Sequence, residues 1–173
     1  MDKSSLSAGS IVGLCFIVLV LYFGMQAIGN NSKLRMGVHY LQTGQTSLDY
    51  RLLARQDAQN AGINPDLFEK QISQESGFNP NAVSPAGAIG IAQFMPSTAK
   101  GLGISPYDAV QSLSGAASLM SRYYTRYQSY DKALAACNAG PDSLNRALLN
   151  CGSGWRACVP AETQKYIIAI MGY

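Results

Sequence analysis

The sequence predicts a small, mainly α-helical domain carried behind one N-terminal membrane-spanning helix. Three observations carry that prediction. Residues 4–32 hold no charged side chain, and Ile11 to Phe23 is almost unbroken apolar sequence. From Thr46 onward, apolar residues recur at helical spacing between capping residues, and no stretch alternates as a strand would. A length of 173 residues suits one domain plus an appendage. The chain therefore divides into a tail (1–8), a transmembrane helix (9–29), a linker (30–45) and a folded domain (46–173).

About 20 helical residues reach roughly 30 Å, enough to cross a bilayer. A cleaved signal peptide is the rival reading. Lys3 would be its thin positive region and Ala27-Ile28-Gly29 its small-x-small site. The length of the apolar run favours an uncleaved anchor, with the lipid bilayer as partner through residues 9–29. Leu14 before Cys15 makes no lipobox, so Cys15 reads as one more apolar residue. Lys3 lies on one side of the span, Lys33 and Arg35 on the other, and this leaves orientation unspecified. Asn30-Asn31-Ser32, Gly37 and Gly44 break any period and mark the linker.

The domain reads as a series of capped helices. Thr46-Ser47 caps a helix through Leu48, Leu52, Leu53 and Ala58 that stops near Gly62. Asn64-Pro65 supplies an N-cap and first residue for the next, which Ser76-Gly77 ends. Pro96 to Lys100 opens a short helix stopped by Gly101 and Gly103. Ser112 to Tyr130 is longer, followed by Asp131 to Asn138, Pro141 to Leu149 and Ala161 to Ile170. Tyr123, Tyr127 and Tyr130 beside Arg122 and Arg126 suggest a sugar or nucleic-acid surface. An amphipathic helix packing Leu119, Tyr123 and Tyr127 inward explains them more simply.

Composition excludes several classes. Residues 46–173 hold ten Lys/Arg against nine Asp/Glu, too balanced to attract nucleic acid. His39 is the one histidine and there is no C-x-x-C, so neither a metal site nor a cofactor is expected. Cys151 and Cys158 bracket the loop Gly152 to Ala157, which a disulfide would close in an oxidising compartment. Pairing of either with Cys137, or three free thiols, stays open.

Chemistry concentrates between Gln71 and Met95. Leu67, Phe68, Gln71, Ile72 and Glu75 share one helical face, so Glu75 falls on the buried side of a last turn. Burial disfavours the charged carboxylate and suits a general acid near neutral pH. No Asp or Glu follows until Asp108, so the second carboxylate of an ordinary glycosidase is missing locally. Small and polar residues follow instead: Ser84, Gly87, Gly90 and Gln93.

At these residues the chain resembles lytic transglycosylases of the soluble type, with a goose-lysozyme-like fold. Glu75-Ser76-Gly77-Phe78 with Asn79-Pro80 matches the ES motif, and Gly87 to Pro96 the G-(L/I)-x-Q-x-M-P motif. Ala136-Cys137-Asn138-Ala139-Gly140 resembles A-Y-N-A-G, with Cys137 at the usual Tyr, and Pro160-Ala161-Glu162-Thr163 with Tyr166 matches P-x-E-T-x-x-Y. The resemblance covers Thr46 to the C-terminus. It implies a lysozyme-like helical domain acting on peptidoglycan glycan strands. Glu75 would be the single catalytic group, Ser76, Gln93, Met95 and Asn138 would line the sugar cleft, and Tyr166 would lie near Glu75. The implied cut is the MurNAc–GlcNAc β-1,4 bond, leaving 1,6-anhydroMurNAc and opening the wall locally. The implied setting is a membrane-anchored domain facing the cell wall, at the bacterial inner membrane or in a phage particle, beside phage-particle or secretion-machine proteins. Two rivals remain: a lysozyme-like hydrolase, and a membrane-tethered wall-binding protein with little turnover.

Overall fold

The computed structural model describes residues 46–173, which form one compact unit. The expected transmembrane helix (9–29) and linker (30–45) lie outside the described residues. Among the described residues, no helix is long and apolar enough to cross a membrane.

Among the described residues, seven α-helices follow one another: α1 (Ser47–Asn60), α2 (Pro65–Ser76), α3 (Pro96–Leu102), α4 (Ala109–Tyr127), α5 (Tyr130–Ala139), α6 (Pro141–Cys151) and α7 (Ala161–Met171). A 3-10 segment, Gly152–Cys158, joins α6 to α7. Extended pairing among the described residues is limited to isolated bridges, Val83 with Ile89 and Ile89 with Phe94.

Four of the helices begin where a side chain replaces the missing backbone acceptors, while α3, α6 and α7 start without one. Thr46 and Asp49 form a reciprocal capping box on α1. Asn64 accepts from the amides of Asp66 and Leu67, with Pro65 at the first position of α2. Asp108 accepts from Val110 and Gln111, so α4 starts at Ala109, three residues before the expected Ser112. It ends at Tyr127, and Ser129 caps a separate helix from Tyr130.

Packing runs from α1 onto α2 and α4, from α4 onto α5, and from α5 onto α6 and α7; α7 returns to α2. Phe68, Ile72, Leu113, Met120, Leu134, Ile167 and Ile170 are fully buried where these helices meet. Leu119, Tyr123 and Tyr127 pack against this core. Tyr127 gives its hydroxyl proton to Asn145, and Tyr130 accepts from the Asn64 amide. The tyrosines thus join helices to one another. The return of α7 to α2 matters most for the site, because it brings Tyr166 within reach of Glu75 across 91 positions of sequence.

Cys151 and Cys158 are joined by a disulfide that closes the 3-10 segment, and Cys137 is a free thiol. Arg156 in that segment binds Asp131 and the Tyr173 hydroxyl, tying the C-terminal residue to the start of α5.

Candidate active site

A cleft of about 730 Å³ opens between α2, α4, α5, α7 and the loop before α3. Glu75, on the last turn of α2, projects into it. The turn ends at Gly77, whose left-handed φ of 63° lets its amide close on the Ser73 carbonyl. Glu75 therefore sits where the helix stops and the loop begins, in a cleft also lined by the apolar Ile72, Ala92 and Ala116. Burial pushes its carboxyl up from an ordinary 4.5 to about 7, against the opposing pull of a hydrogen bond from Tyr166. That bond, from the Tyr166 hydroxyl to Glu75 Oε1, is 2.5 Å long. Burial, with Glu75 beside it, holds the Tyr166 phenol well above its usual range, so it stays a donor.

The loop from Phe78 to Met95 forms the opposite wall. It folds on itself through paired bonds between Ile89 and Phe94 and through the Gly90 amide to the Ala82 carbonyl. Gly90 has φ +79°, and a Cβ there would lie 2.0 Å from the Pro106 carbonyl oxygen. Only glycine allows the loop to lie this close to the start of α4.

The other expected site residues fall into place unevenly. Gln93 and Met95 line the cleft, Met95 at its exposed edge. Gln93 has a left-handed φ of 49°, and its amide nitrogen donates to the carbonyls of Gly90 and Ala82. Both amide protons thus brace the loop, and the carbonyl oxygen remains for a ligand. Asn138 lines the cleft, its Oδ1 accepting a 2.7 Å bond from Thr163. Ser76 is not among the residues that line the cleft. Its hydroxyl donates to the Ile91 carbonyl at 2.6 Å, because the residue after Glu75 turns about 100° around the helix. Ser76 pins the loop to the end of α2.

Lys165 is singled out only by the structure; it and Glu162, already part of the P-x-E-T-x-x-Y match, line the cleft with Tyr166 and Ala169. Positions 162, 165, 166 and 169 are one face of α7, so the helical spacing around Tyr166 held the signal. Cys137 also lines the cleft; burial and the nearby Glu75 raise its thiol to about 12, well away from reactivity. Asp108 faces elsewhere. Its carboxylate is occupied in capping α4 and in a bond from the Gln111 side chain.

Residues 52–154 match the Transglycosylase SLT domain family, well over half of the chain. The chain belongs to this family. The chain is also 37% identical over 84 residues to a transglycosylase of Enterobacteria phage PRD1, covering 48% of this chain and 32% of that one. In structure it is similar to an inactive Glu-to-Gln mutant of lytic transglycosylase Slt from Pseudomonas aeruginosa. The TM-score is 0.61 at 27% identity, over 71% of this chain and 23% of that one. The 70 kDa soluble lytic transglycosylase of Escherichia coli shares the fold, with a TM-score of 0.58 at 19% identity, covering 100% of this chain and 37% of that one. The chain thus spans about a third or less of the first two relatives' length.

Proposed function

We propose that this chain is a peptidoglycan lytic transglycosylase with Glu75 as its one catalytic group. The observation that carries the reading is Glu75 itself: a carboxyl in a sugar-sized cleft, shifted to about 7, with a phenol bonded to one oxygen. Such a group is half neutral near physiological pH and can give and then take a proton.

The neutral Glu75 protonates the glycosidic oxygen beyond MurNAc, and the bond from that oxygen to C1 breaks. The acetamido carbonyl of the same MurNAc holds the positive charge at C1, in the place of a second carboxylate. Glu75, now ionised, takes the proton from the C6 hydroxyl, whose oxygen bonds to C1. The product is a 1,6-anhydroMurNAc end, and no water is consumed. Tyr166 supports the ionised intermediate state by its hydrogen bond to Glu75. Gln93, Met95 and Asn138 contact the glycan. The family membership, the phage relative called a transglycosylase and the inactive Glu-to-Gln mutant among the structures support the reading.

A hydrolase reading draws on one observation, the exposed Glu162 on the same cleft. It would be the base that activates a water. In either reading residues 9–29 tether the domain to a membrane, so that it opens the wall locally in a phage particle or secretion machine. The direct test is release of soluble muropeptides from purified sacculi by the full chain and by Glu75→Gln. The substitution keeps shape but cannot cycle a proton, and the rate should fall on the order of 10²–10⁴-fold. A folded Glu75→Gln protein that keeps most of its activity would remove Glu75 from the mechanism.

A further inference from the structure

Thr163 is a buried polar side chain that the reaction above does not use. It is the third residue of α7, one turn before Tyr166, and 1% exposed. A threonine hydroxyl in a helix ordinarily gives its proton to a backbone carbonyl three or four residues earlier. Here both of those carbonyls already accept from Gln164: Val159 from its side-chain amide, Pro160 from its backbone N–H. The Thr163 hydroxyl turns away from its own helix. It donates across to α5, to Asn138 Oδ1 at 2.7 Å. A valine would fill the same volume with no proton to place.

That bond decides which way the Asn138 amide faces. An asparagine side chain has an acceptor end and a donor end of nearly the same shape, and the surroundings select between the two orientations. With the amide reversed, its nitrogen would donate to the Thr163 oxygen, and the hydroxyl proton would have no acceptor in the core. A buried donor left without a partner costs more than an ordinary hydrogen bond contributes. Oδ1 therefore faces Thr163. Asn138 itself is exposed and lines the cleft. Its nitrogen makes no hydrogen bond to protein among the described residues, so two N–H donors remain at the cleft wall.

We propose that Thr163 is a positioning residue that locks the Asn138 amide with its N–H pair towards the cleft, where the pair donates to the carbonyl oxygen of a substrate acetamido group. The proposal rests on the cleft being a glycan site, and it fixes the sense of the contact: Asn138 gives the hydrogen bond and the sugar receives it. A carbonyl oxygen only accepts, so a locked donor suits it better than an amide free to turn either end outward. The lock also spares the complex the entropy of ordering that side chain when the sugar arrives.

The test reads the Asn138 side chain directly, by NMR relaxation of its amide nitrogen in the full chain. Its signal is the one missing from Asn138→Asp. The amide should be as rigid as the neighbouring backbone in wild type and in Thr163→Ser, which keeps the hydroxyl, and mobile in Thr163→Val, which does not. Equal mobility in wild type and Thr163→Val overturns the proposal. Thr163→Ala gives the same readout if the valine variant does not fold. The second measurement is binding of tri-N-acetylchitotriose to the same proteins. Thr163→Val should weaken it about threefold to tenfold, the worth of one hydrogen bond. Thr163→Ser should bind as wild type does, and adding Thr163→Val to Asn138→Asp should cost nothing further. Unweakened binding in Thr163→Val overturns the proposal. So does an equal loss with and without the Asn138 amide, because Thr163 would then act on the fold alone. The relaxation measurement needs no ligand. A chain that binds no oligomer yet shows the Thr163-dependent amide contradicts the glycan reading alone, whereas a chain that binds it with an amide indifferent to Thr163 contradicts the Thr163 proposal alone.

Discussion

At the scale of single residues, a carboxyl that titrates near 7 in the fold and near 4.5 when unfolded opposes folding over a defined range. Below about 4.5 both states of Glu75 are protonated and there is no penalty. As pH rises, the unfolded chain releases its proton first, and the penalty grows until the folded carboxyl also ionises above 7. At its full extent it is at most about 3 kcal/mol. Glu75→Gln should therefore melt higher than wild type at pH 8 and equally at pH 4, while losing activity. Asp57 on α1 is a useful contrast. Burial pushes it to about 6 and its Oδ2 has no partner, yet it is not on the cleft wall. A shifted carboxyl alone does not mark a site; the cleft and the phenol do. Asp57→Asn should raise the melting temperature with the same pH pattern, by less because the group is more exposed, and should leave muropeptide release intact. Thermal melts at the two pH values check both variants. Glu75 on the inner face of α2 was legible from spacing alone. The direction of Ser76 and the two backbone bonds of Gln93 were not, because both depend on a loop that the helical period does not describe.

At the scale of elements, two helix starts were legible from their capping side chains, Thr46 and Asn64. The start of α4 was missed because Asp108 reads as a loop carboxylate until its two amide partners are seen. The loop from Phe78 to Met95 resists reading for another reason. Its shape depends on contacts with distant backbone, chiefly Gly90 against Pro106. Gly90→Ala combines a left-handed φ with a backbone clash that no side-chain movement relieves. It should destabilise the domain by on the order of 3 kcal/mol and lose activity with it. Denaturant unfolding of the purified variant checks this; wild-type stability would show that the loop does not depend on that approach. Gly87, also at positive φ but with open space around it, is the control.

At the scale of the molecule, the helices from Thr46 onward bury their own core, and the cleft is built from them and from the loop before α3. Residues 46–173 alone should thus fold, stay soluble and release muropeptides at a rate close to that of the full chain. Circular dichroism and a sacculus assay check this, and an unfolded truncation would move the domain boundary. The helical class and the motif order were legible at this scale. The pairing of α7 with α2 was not, since it joins Glu75 to Tyr166 across most of the domain. In the proposed reaction Glu75 directs attack by the sugar's own C6 hydroxyl. That hydroxyl lies beside C1 at a high effective concentration, an advantage of several kcal/mol over an unpositioned water. Mass analysis of the fragments released from purified sacculi, before and after borohydride, reads the outcome directly. The expected ends are 1,6-anhydroMurNAc, one water lighter than reducing ends and untouched by borohydride. Mostly reducible MurNAc ends would contradict the proposed reaction, leaving a hydrolase with Glu162 as the base to test next.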